Sequence, residues 1–403
     1  MNDTISPSPS CADPFDPETI SVAEALAKMS AAVTAVSDFE ILPIRECLGR
    51  TCFEAVTSPF NVPAHANSAM DGYALTFKDI SPQGISEFSV VGNAYAGIEF
   101  NGDCGPQQCV RIMTGAVMPK GTDTVIMQEQ VDVADNGSIR IDARHRSGEN
   151  IRYAGEDISQ GQTVVDCGET INPANLGVLA SLGIGELKVY RSIVVAYFST
   201  GDELVSIGES LEKGKIYDSN RYTLYGMLSK AGIDILDLGV VKDEPESIRQ
   251  TLLEAADKAD LIITTGGVSV GEADYIKSVL HDIGDMAFWK IAIKPGRPLT
   301  FGKINNCLFM GLPGNPVAVM VTFSQFVNPC LQLLSGTNLR PPVRLRAKST
   351  DTFRKKPGRL EIQRGIAKRD ENNEWQVAKT GKQGSGILTS MSKANCFIIL
   401  DEN

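Results

Sequence analysis

The chain has 403 residues, 42% hydrophobic and 22% charged, a balance that predicts two to four ordinary globular domains and excludes a fibrous or disordered chain. With 38 Lys+Arg against 49 Asp+Glu the formal charge is −11, which argues against nucleic-acid or anionic-membrane partners, so an anionic ligand must meet local cations or a metal. The nine cysteines include no Cys-x-x-Cys pair, which removes zinc-type spacing and a disulfide framework and leaves reduced packing thiols, as in a cytoplasmic protein.

Residues 1–16 are polar and proline-containing, without the basic and apolar regions of a signal peptide, and read as a loose tail. No apolar run approaches membrane-spanning length. Ser21-Val-Ala-Glu24 has the capping-box form and opens an amphipathic helix with Val22, Leu26, Met29 and Val33 at helical spacing. The chain is then extended and rich in bends from Pro43 to Pro63. In the polar segment that follows, Asp71-Gly72 reads from spacing alone as a turn. From Glu87 to Ile141 the pattern is β, with Asn136-Gly137 marking a two-residue hairpin turn, and Thr114-Gly115 falls where a strand ends. Arg152 to Glu169 is rich in charge and glycine, and a short helix spans Pro173 to Leu182.

From Lys188 strands and helices alternate, the pattern of a mainly parallel sheet covered by helices. Ser192 to Phe198 is a buried strand ending in Ser199-Thr-Gly-Asp-Glu203, and Asn220 can cap a helix from Arg221 to Lys230 that Gly232 ends. Strand Ile233 to Val241 and helix Glu246 to Lys258 follow. The apolar run Leu261-Ile-Ile263 then breaks at Gly266-Gly267 and resumes as helix from about Gly271. Such a glycine junction suits an oxyanion, and Glu272 and Asp274 beside it suit Mg²⁺, although a plain strand–helix turn explains the glycines equally well on this stretch alone. Next come strand Met286 to Ile293, loop Lys294-Pro-Gly-Arg-Pro298, a strand near Cys307 to Met310, loop Gly311 to Pro316 and the apolar helix Val317 to Leu334. After Pro341-Pro342 a small β domain closes the chain.

Ligands of open α/β sheets bind outside the carboxyl ends of the strands. Those ends carry Thr200-Gly-Asp-Glu203, Asp243-Glu244, Gly266-Gly267 with Ser269, Lys294 with Arg297, and Gly314-Asn315. Acids, cations and glycine loops on one edge fit a phosphorylated anion with Mg²⁺. No P-loop and no Gly-x-Gly-x-x-Gly helix opening occurs, and His65, His145 and His281 are scattered, which argues against a P-loop or dinucleotide enzyme, zinc chemistry and a serine triad.

The segments Asn67-Ser-Ala-Met-Asp-Gly-Tyr-Ala, Arg111-Ile-Met-Thr-Gly-Ala, Ser199-Thr-Gly-Asp-Glu-Leu, Gly266-Gly-Val-Ser-Val-Gly-Glu-Ala-Asp-Tyr, Ile293-Lys-Pro-Gly-Arg-Pro and Gly311-Leu-Pro-Gly-Asn-Pro together resemble the MoeA family. These are molybdopterin molybdenumtransferases, similar to the E domain of gephyrin. The resemblance implies a multidomain α/β and β protein with a three-layer molybdopterin-binding α/β domain (191–340) and a C-terminal β-barrel-like domain (341–403). It further implies a discontinuous linker domain (17–65 with 154–190) and an inserted β domain (66–153). In the family the last domain usually runs past the position of Asn403 with a turn and another strand. The implied activity is Mg²⁺-dependent insertion of molybdate into the dithiolene of adenylylated molybdopterin, releasing AMP. A homodimer with a shared site is also implied, and molybdopterin adenylyltransferase and molybdoenzyme maturation proteins are candidate partners.

Carried over by position, Asp71, Thr114, Glu203, Asp243 and Asp274 match the family's important acids and substrate-contacting threonine, with Glu203 and Asp274 serving the metal. Asp157 matches a further acid. Asp218, Asn220, Gly266, Gly267, Ser269, Gly314 and Asn315 match the pterin-phosphate region. Lys290, Lys294, Arg297 and Pro298 match the molybdate pocket, which Arg364 and Ser385 complete, and Arg297 stands where many relatives have lysine. Two other readings stay open: molybdopterin adenylylation, whose enzymes share the Gly-Gly-Val-Ser motif, and a gephyrin-like scaffold. The extra β domains and Asp71 favour insertion over adenylylation, and the full set of strand-end acids favours an enzyme over a scaffold.

Overall fold

A computed structural model describes residues 19–230, 232–267, 275–339 and 341–402. Helix α1 (Val22–Ala32) is capped by Ser21, whose hydroxyl accepts the Glu24 N–H. Its apolar face, Val22, Ala25 and Met29, is buried in the core of the α/β domain rather than against the segment that follows it in sequence. Strand β1 (Phe39–Pro43) then leads to an inserted domain made of β2 (Gly72–Leu75), β3 (Ser86–Ala94), β4 (Gln108–Ile112), β5 (Thr124–Met127), β6 (Asp132–Val133) and β7 (Ile139–Ile141). These form one six-stranded sheet in the order β5-β2-β4-β3-β7-β6.

Two expected turns differ from their sequence reading. Gly72 begins central strand β2, where an added Cβ would stand 1.9 Å from the Ile126 carbonyl oxygen. Close strand approach, not a turn, therefore requires this glycine. The β6–β7 hairpin closes through Gly137 N–H to Ala134 O and Ala134 N–H to Ser138 O, with Gly137 at φ +82°. This is a three-residue loop with a glycine bulge, because Asn136 does not take the positive φ that a two-residue type I′ turn demands.

The chain returns through α2 (Pro173–Ser181) to β8 (Glu186–Tyr190), which pairs antiparallel with β1 in register Phe39↔Tyr190. The α/β domain comprises β9 (Ile193–Thr200), α3 (Ser219–Leu228), β10 (Ile233–Val241), α4 (Pro245–Ala256), β11 (Leu261–Thr265) and α5 (Tyr275–Ile283). It continues with β12 (Asp285–Lys290), β14 (Pro298–Ile304), β15 (Cys307–Leu312), α6 (Pro316–Thr322) and α7 (Asn328–Leu334), while β13 (Ile293–Lys294) leaves for the C-terminal sheet. The stretch read as one strand, 286–293, is thus two strands in two sheets. Strand β14, whose leading proline suggested a loop, pairs antiparallel with both β12 and β15.

The sheet order is β10-β9-β11-β15-β14-β12, with the first four strands parallel. Alternate side chains feed two cores, as a pleated strand buried on both faces must. Val195, Tyr197, Leu261 and Ile263 pack with α1, α3, α6 and α7, whereas Ala196, Phe198 and Ile262 pack with Ile248, Leu252, Val279 and Leu280 of α4 and α5. Truncating a fully buried ring such as Phe198 to alanine should cost about 3–5 kcal/mol.

Helices α6 and α7 join through a wide turn, Phe323–Val327, into the continuous helix Pro316–Leu334. By length and composition it could cross a membrane, but most of it is buried inside the protein, as a core helix is. The C-terminal sheet centres on β16 (Leu360–Arg369), paired with β13, with β17 (Trp375–Lys379) and with β18 (Cys396–Leu400). Register Lys294↔Glu361 ties it to the α/β domain.

Candidate active site

The strand order reverses between β9 and β11: from β9 the chain goes first to β10 on one side, then to β11 on the other. A crevice opens at such a switch point outside the carboxyl ends of the strands. Gly266 and Gly267 follow β11 there at φ +84° and +62°. A Cβ at Gly266 would lie 2.5 Å from the Thr200 carbonyl oxygen, and one at Gly267 would lie 2.8 Å from Ile276. Gly314, on the loop after β15, faces Gly266 closely enough that an added Cβ would stand 3.7 Å from the Gly266 Cα. Backbone therefore floors the crevice, as binding a ligand through its phosphates requires.

The β9–β10 side is acidic. The Thr200 hydroxyl donates to Asp243 Oδ1 at 3.2 Å. Burial raises the Asp243 pKa above the ordinary carboxylate range, the Thr200 bond opposes the rise, and the charges of Asp202 and Glu203 add to it. Glu203 folds back over Gly201, where an added Cβ would meet its Oε2 at 2.6 Å. Among the described residues no group of three or more His, Cys, Asp or Glu side chains is arranged to hold a metal. Ser269 and Asp274 lie outside the described residues.

Helix α3 contributes its N-terminus. Asp218, not Asn220, is the cap: its Oδ1 accepts the Arg221 N–H at 3.1 Å. The Asn220 amide instead donates to the Gly314 carbonyl at 2.7 Å, bracing the loop after β15. Asp218 is 3% exposed, and among the described residues its Oδ2 and the Asn220 Oδ1 are buried without a hydrogen-bond partner. Unused buried acceptors at a crevice suit a ligand that brings donors.

The other side of the edge is cationic. Strand β12 runs parallel with β15, so its last residue, Lys290, faces the same edge, opposite Pro298 in register. Lys294 Nζ donates to the buried Glu361 Oε2 at 3.2 Å, and Arg297, 7% exposed, reaches Thr19 Oγ1 at 3.4 Å. Asn315 precedes α6 without capping it, so its exposed side chain stays available. Arg364 is 1% exposed; its Nε donates to Ser390 Oγ and its Nη2 to the Gly384 carbonyl, both at 3.0 Å. The neighbouring Ser385 carbonyl accepts the Val317 N–H of α6 at 3.1 Å. The C-terminal domain is thereby pinned beside the Gly314-Asn315 loop. The Gln383-Gly384 turn, whose Gln383 Oε1 accepts the Arg364 N–H at 2.8 Å, gave only a glycine-rich signal in the sequence.

Along this edge, acids on β9 and β10 give way to glycine loops after β11 and β15 and then to cations around β12, β13 and β14. At 4.8 Å per strand the rim spans roughly 24 Å. The inserted domain carries a separate pair. Asp71 Oδ1 accepts both the N–H and the hydroxyl of Thr114, each at 2.7 Å, and these two bonds hold its exposed carboxyl below the usual range. Among the described residues no hydrogen bond or ion pair joins this pair to the strand-end rim.

Three family models cover most of the chain: MoeA N-terminal region (domain I and II) at residues 20–183, probable molybdopterin binding domain at 196–333, and MoeA C-terminal region (domain IV) at 346–403. A molybdopterin molybdenumtransferase of Haemophilus influenzae is 43% identical over 94% of this chain and 94% of its own length. One from Bacillus subtilis is 34% identical over 90% and 85%. Gephyrin of Dictyostelium discoideum is 33% identical over 91% of this chain but only 57% of its own. Among solved structures, the molybdopterin biosynthesis moeA protein of Pyrococcus horikoshii OT3 superposes with a TM-score of 0.83 at 28% identity, covering 96% of both chains.

Proposed function

Because the chain belongs to the MoeA family and is a molybdopterin molybdenumtransferase of molybdenum cofactor biosynthesis, we propose that its strand-end rim inserts molybdate into adenylylated molybdopterin and releases AMP. The order of charges along the rim carries this reading. The adenylylated substrate is a long anion with a pyrophosphate at one part and a dithiolene at another. Glycine backbone after β11 and β15 suits its phosphates, and the cationic end around Lys290, Lys294, Arg297, Pro298, Arg364 and Ser385 suits the tetrahedral molybdate dianion.

The acidic end fits Mg²⁺. Its donors are hard carboxylate oxygens, and Mg²⁺ is commonly held by one or two carboxylates plus substrate phosphates, so no three-carboxylate cage is needed. Glu203 and Asp274 would hold it, and when bound it offsets charge on phosphate oxygens. Asp243, whose pKa is raised by burial and by the charges of Asp202 and Glu203, would gain from a cation bound at this end. Asp218 Oδ2 and Asn220 Oδ1 would take donors from the pterin, while Gly266, Gly267, Ser269, Gly314 and Asn315 would surround the phosphates.

Asp71 and Thr114 act in this reading from the second subunit of a homodimer. Their mutual hydrogen bonds hold an ionised carboxylate at an exposed strand end, a rigid group ready to complete a site elsewhere. Purified protein with adenylylated molybdopterin, Mg²⁺ and molybdate should release AMP only when molybdate is present. Consumption of ATP instead would sink insertion in favour of adenylylation, and neither activity would favour a scaffold. Mixing Asp71→Asn and Asp243→Asn subunits should restore about a quarter of wild-type sites, since half of the re-formed dimers are mixed and each has one intact site. No recovery would rule out sharing.

A further inference from the structure

The opposite edge of the α/β sheet carries a cavity of about 350 Å³ where β9 and β10 begin, between that domain and the linker. Arg50, Arg191 and Lys230 line it together with Thr170, Asn328 and Gln332, and among the described residues no aspartate or glutamate does, in a chain of net charge −11. The two arginines are already neutralised from behind. Arg50, its side chain 9% exposed, donates from Nη2 to Glu40 at 2.6 Å and to the Tyr190 carbonyl at 2.8 Å. Arg191 grips Asp260 with two bonds of 2.7 and 2.8 Å. Lys230 differs: its side chain is exposed, and its Nζ donates to the neutral Asn328 Oδ1 at 2.8 Å.

Among the described residues this ammonium meets no carboxylate, and beside the amides of Asn328 and Gln332 and the Thr170 hydroxyl its charge is open to an anion. The floor is apolar, made by Ile193, Ile233 and Leu331. At about 30 Å³ per water the space holds roughly ten waters, more than a bare oxyanion fills. The seam around it is closed by the Thr51–Thr337 hydroxyl bond of 2.8 Å and by Arg50 packed on Gly232. We propose that this cavity is a second ligand site, separate from the strand-end rim, and that it binds a small organic phosphate with the phosphoryl group on Lys230 and the carbon body on the apolar floor. Helix α3, about 15 Å long, separates it from the crevice lined by Asp218.

Calorimetric titration of the full chain with ribose 5-phosphate tests the site. Saturable binding of one ligand per chain is expected, with at least a tenfold loss in Lys230→Met, retention in Lys230→Arg, no change when the rim cation is removed in Lys294→Gln, and no binding of ribose. If Lys230→Met fails to fold, Gln332→Leu probes the other wall and should also weaken binding. Absence of saturable binding, or undiminished binding by the Lys230 and Gln332 variants, would overturn the proposal. Loss in Lys294→Gln would move the phosphate to the strand-end rim and overturn it equally. Affinity for inorganic phosphate equal to that for ribose 5-phosphate would refute the organic body.

Discussion

Two aspartates of one β-α unit, Asp237 within β10 and Asp243 just beyond it, face opposite fates. Asp237 sits in a desolvating site, yet hydrogen bonds from Arg221, the Gly239 N–H and the Tyr197 hydroxyl hold its pKa below the usual range. Asp243 has one hydroxyl partner and two carboxylate neighbours, and its pKa is raised. The middle of the sheet spends its acids on structure and saturates them; the carboxyl end leaves them unsatisfied and crowded. Unsatisfied charge of this kind marks a site that expects a ligand. The amino end repeats the structural pattern at Asp260, which takes both Arg191 nitrogens and the Val194 N–H.

The largest effect should come from neutralising the crowded end. Asp243→Asn and Glu203→Gln are each expected to lower the rate of molybdate-dependent AMP release by about 10²–10³-fold, the scale for one electrostatic group at a reacting centre. Full activity in both would erase the contrast and with it the site assignment. Asp237→Asn should do the reverse. It strips Arg221 of its ion pair and leaves the buried Tyr197 hydroxyl a poorer partner, at about 1–3 kcal/mol of stability measured by denaturant unfolding. The folded pKa of Asp237 is depressed, so its contribution is present above the ordinary carboxylate pKa and is lost as pH falls through the lowered one. The wild-type advantage over Asp237→Asn should therefore hold at pH 7 and fade below about pH 4. An advantage that persisted unchanged in acid would show that the carboxylate is not its source.

A smaller loss is expected at the amino end. Asp260→Asn keeps the Val194 bond but weakens a partly exposed bidentate pair, so about 1 kcal/mol should be lost with AMP release per folded molecule unchanged. A large catalytic defect there would break the division between the two ends of the sheet.

The same contrast explains what the sequence made legible. Runs such as Ile193-Val-Val-Ala-Tyr-Phe198 announce themselves because both faces are buried, and the glycines after β11 stand out because close approach tolerates nothing larger. Local chemistry misled where tertiary pairing decided. Pro298 opens a strand because its missing N–H costs little at a strand start, and Ile293–Lys294 joins a sheet whose partner, β16, is distant in sequence. Asp218 and Asn220 are equally good caps by propensity; which one caps was set by Gly314, which claims the Asn220 amide. Nothing local could reveal that Asp237 is saturated and Asp243 is not, since both partners, Arg221 and Thr200, come from other elements.

The smallest effect gives the sharpest test, because its sign is opposite to that of the largest. Asp243 has a raised folded pKa, so the protonated form is the one that folding favours; that contribution is present below the ordinary carboxylate pKa and is lost as pH rises through the raised value. At pH 7 the ionised Asp243 therefore opposes folding, desolvated by burial and repelled by Asp202 and Glu203. Asparagine removes the charge and can still accept from the Thr200 hydroxyl. Asp243→Asn should then be more stable than wild type at pH 7 by about 0.5 kcal/mol, the lower end of gains from relieved surface charge. The gain should shrink as pH approaches about 4, where the wild-type carboxyl takes up its proton. Added Mg²⁺ should stabilise wild type more than the variant, because only the carboxylate cluster gives the cation a charge to offset. A variant that is inactive and destabilised at every pH would instead make Asp243 a structural acid like Asp237, and the rim would lose its strongest argument for being a site.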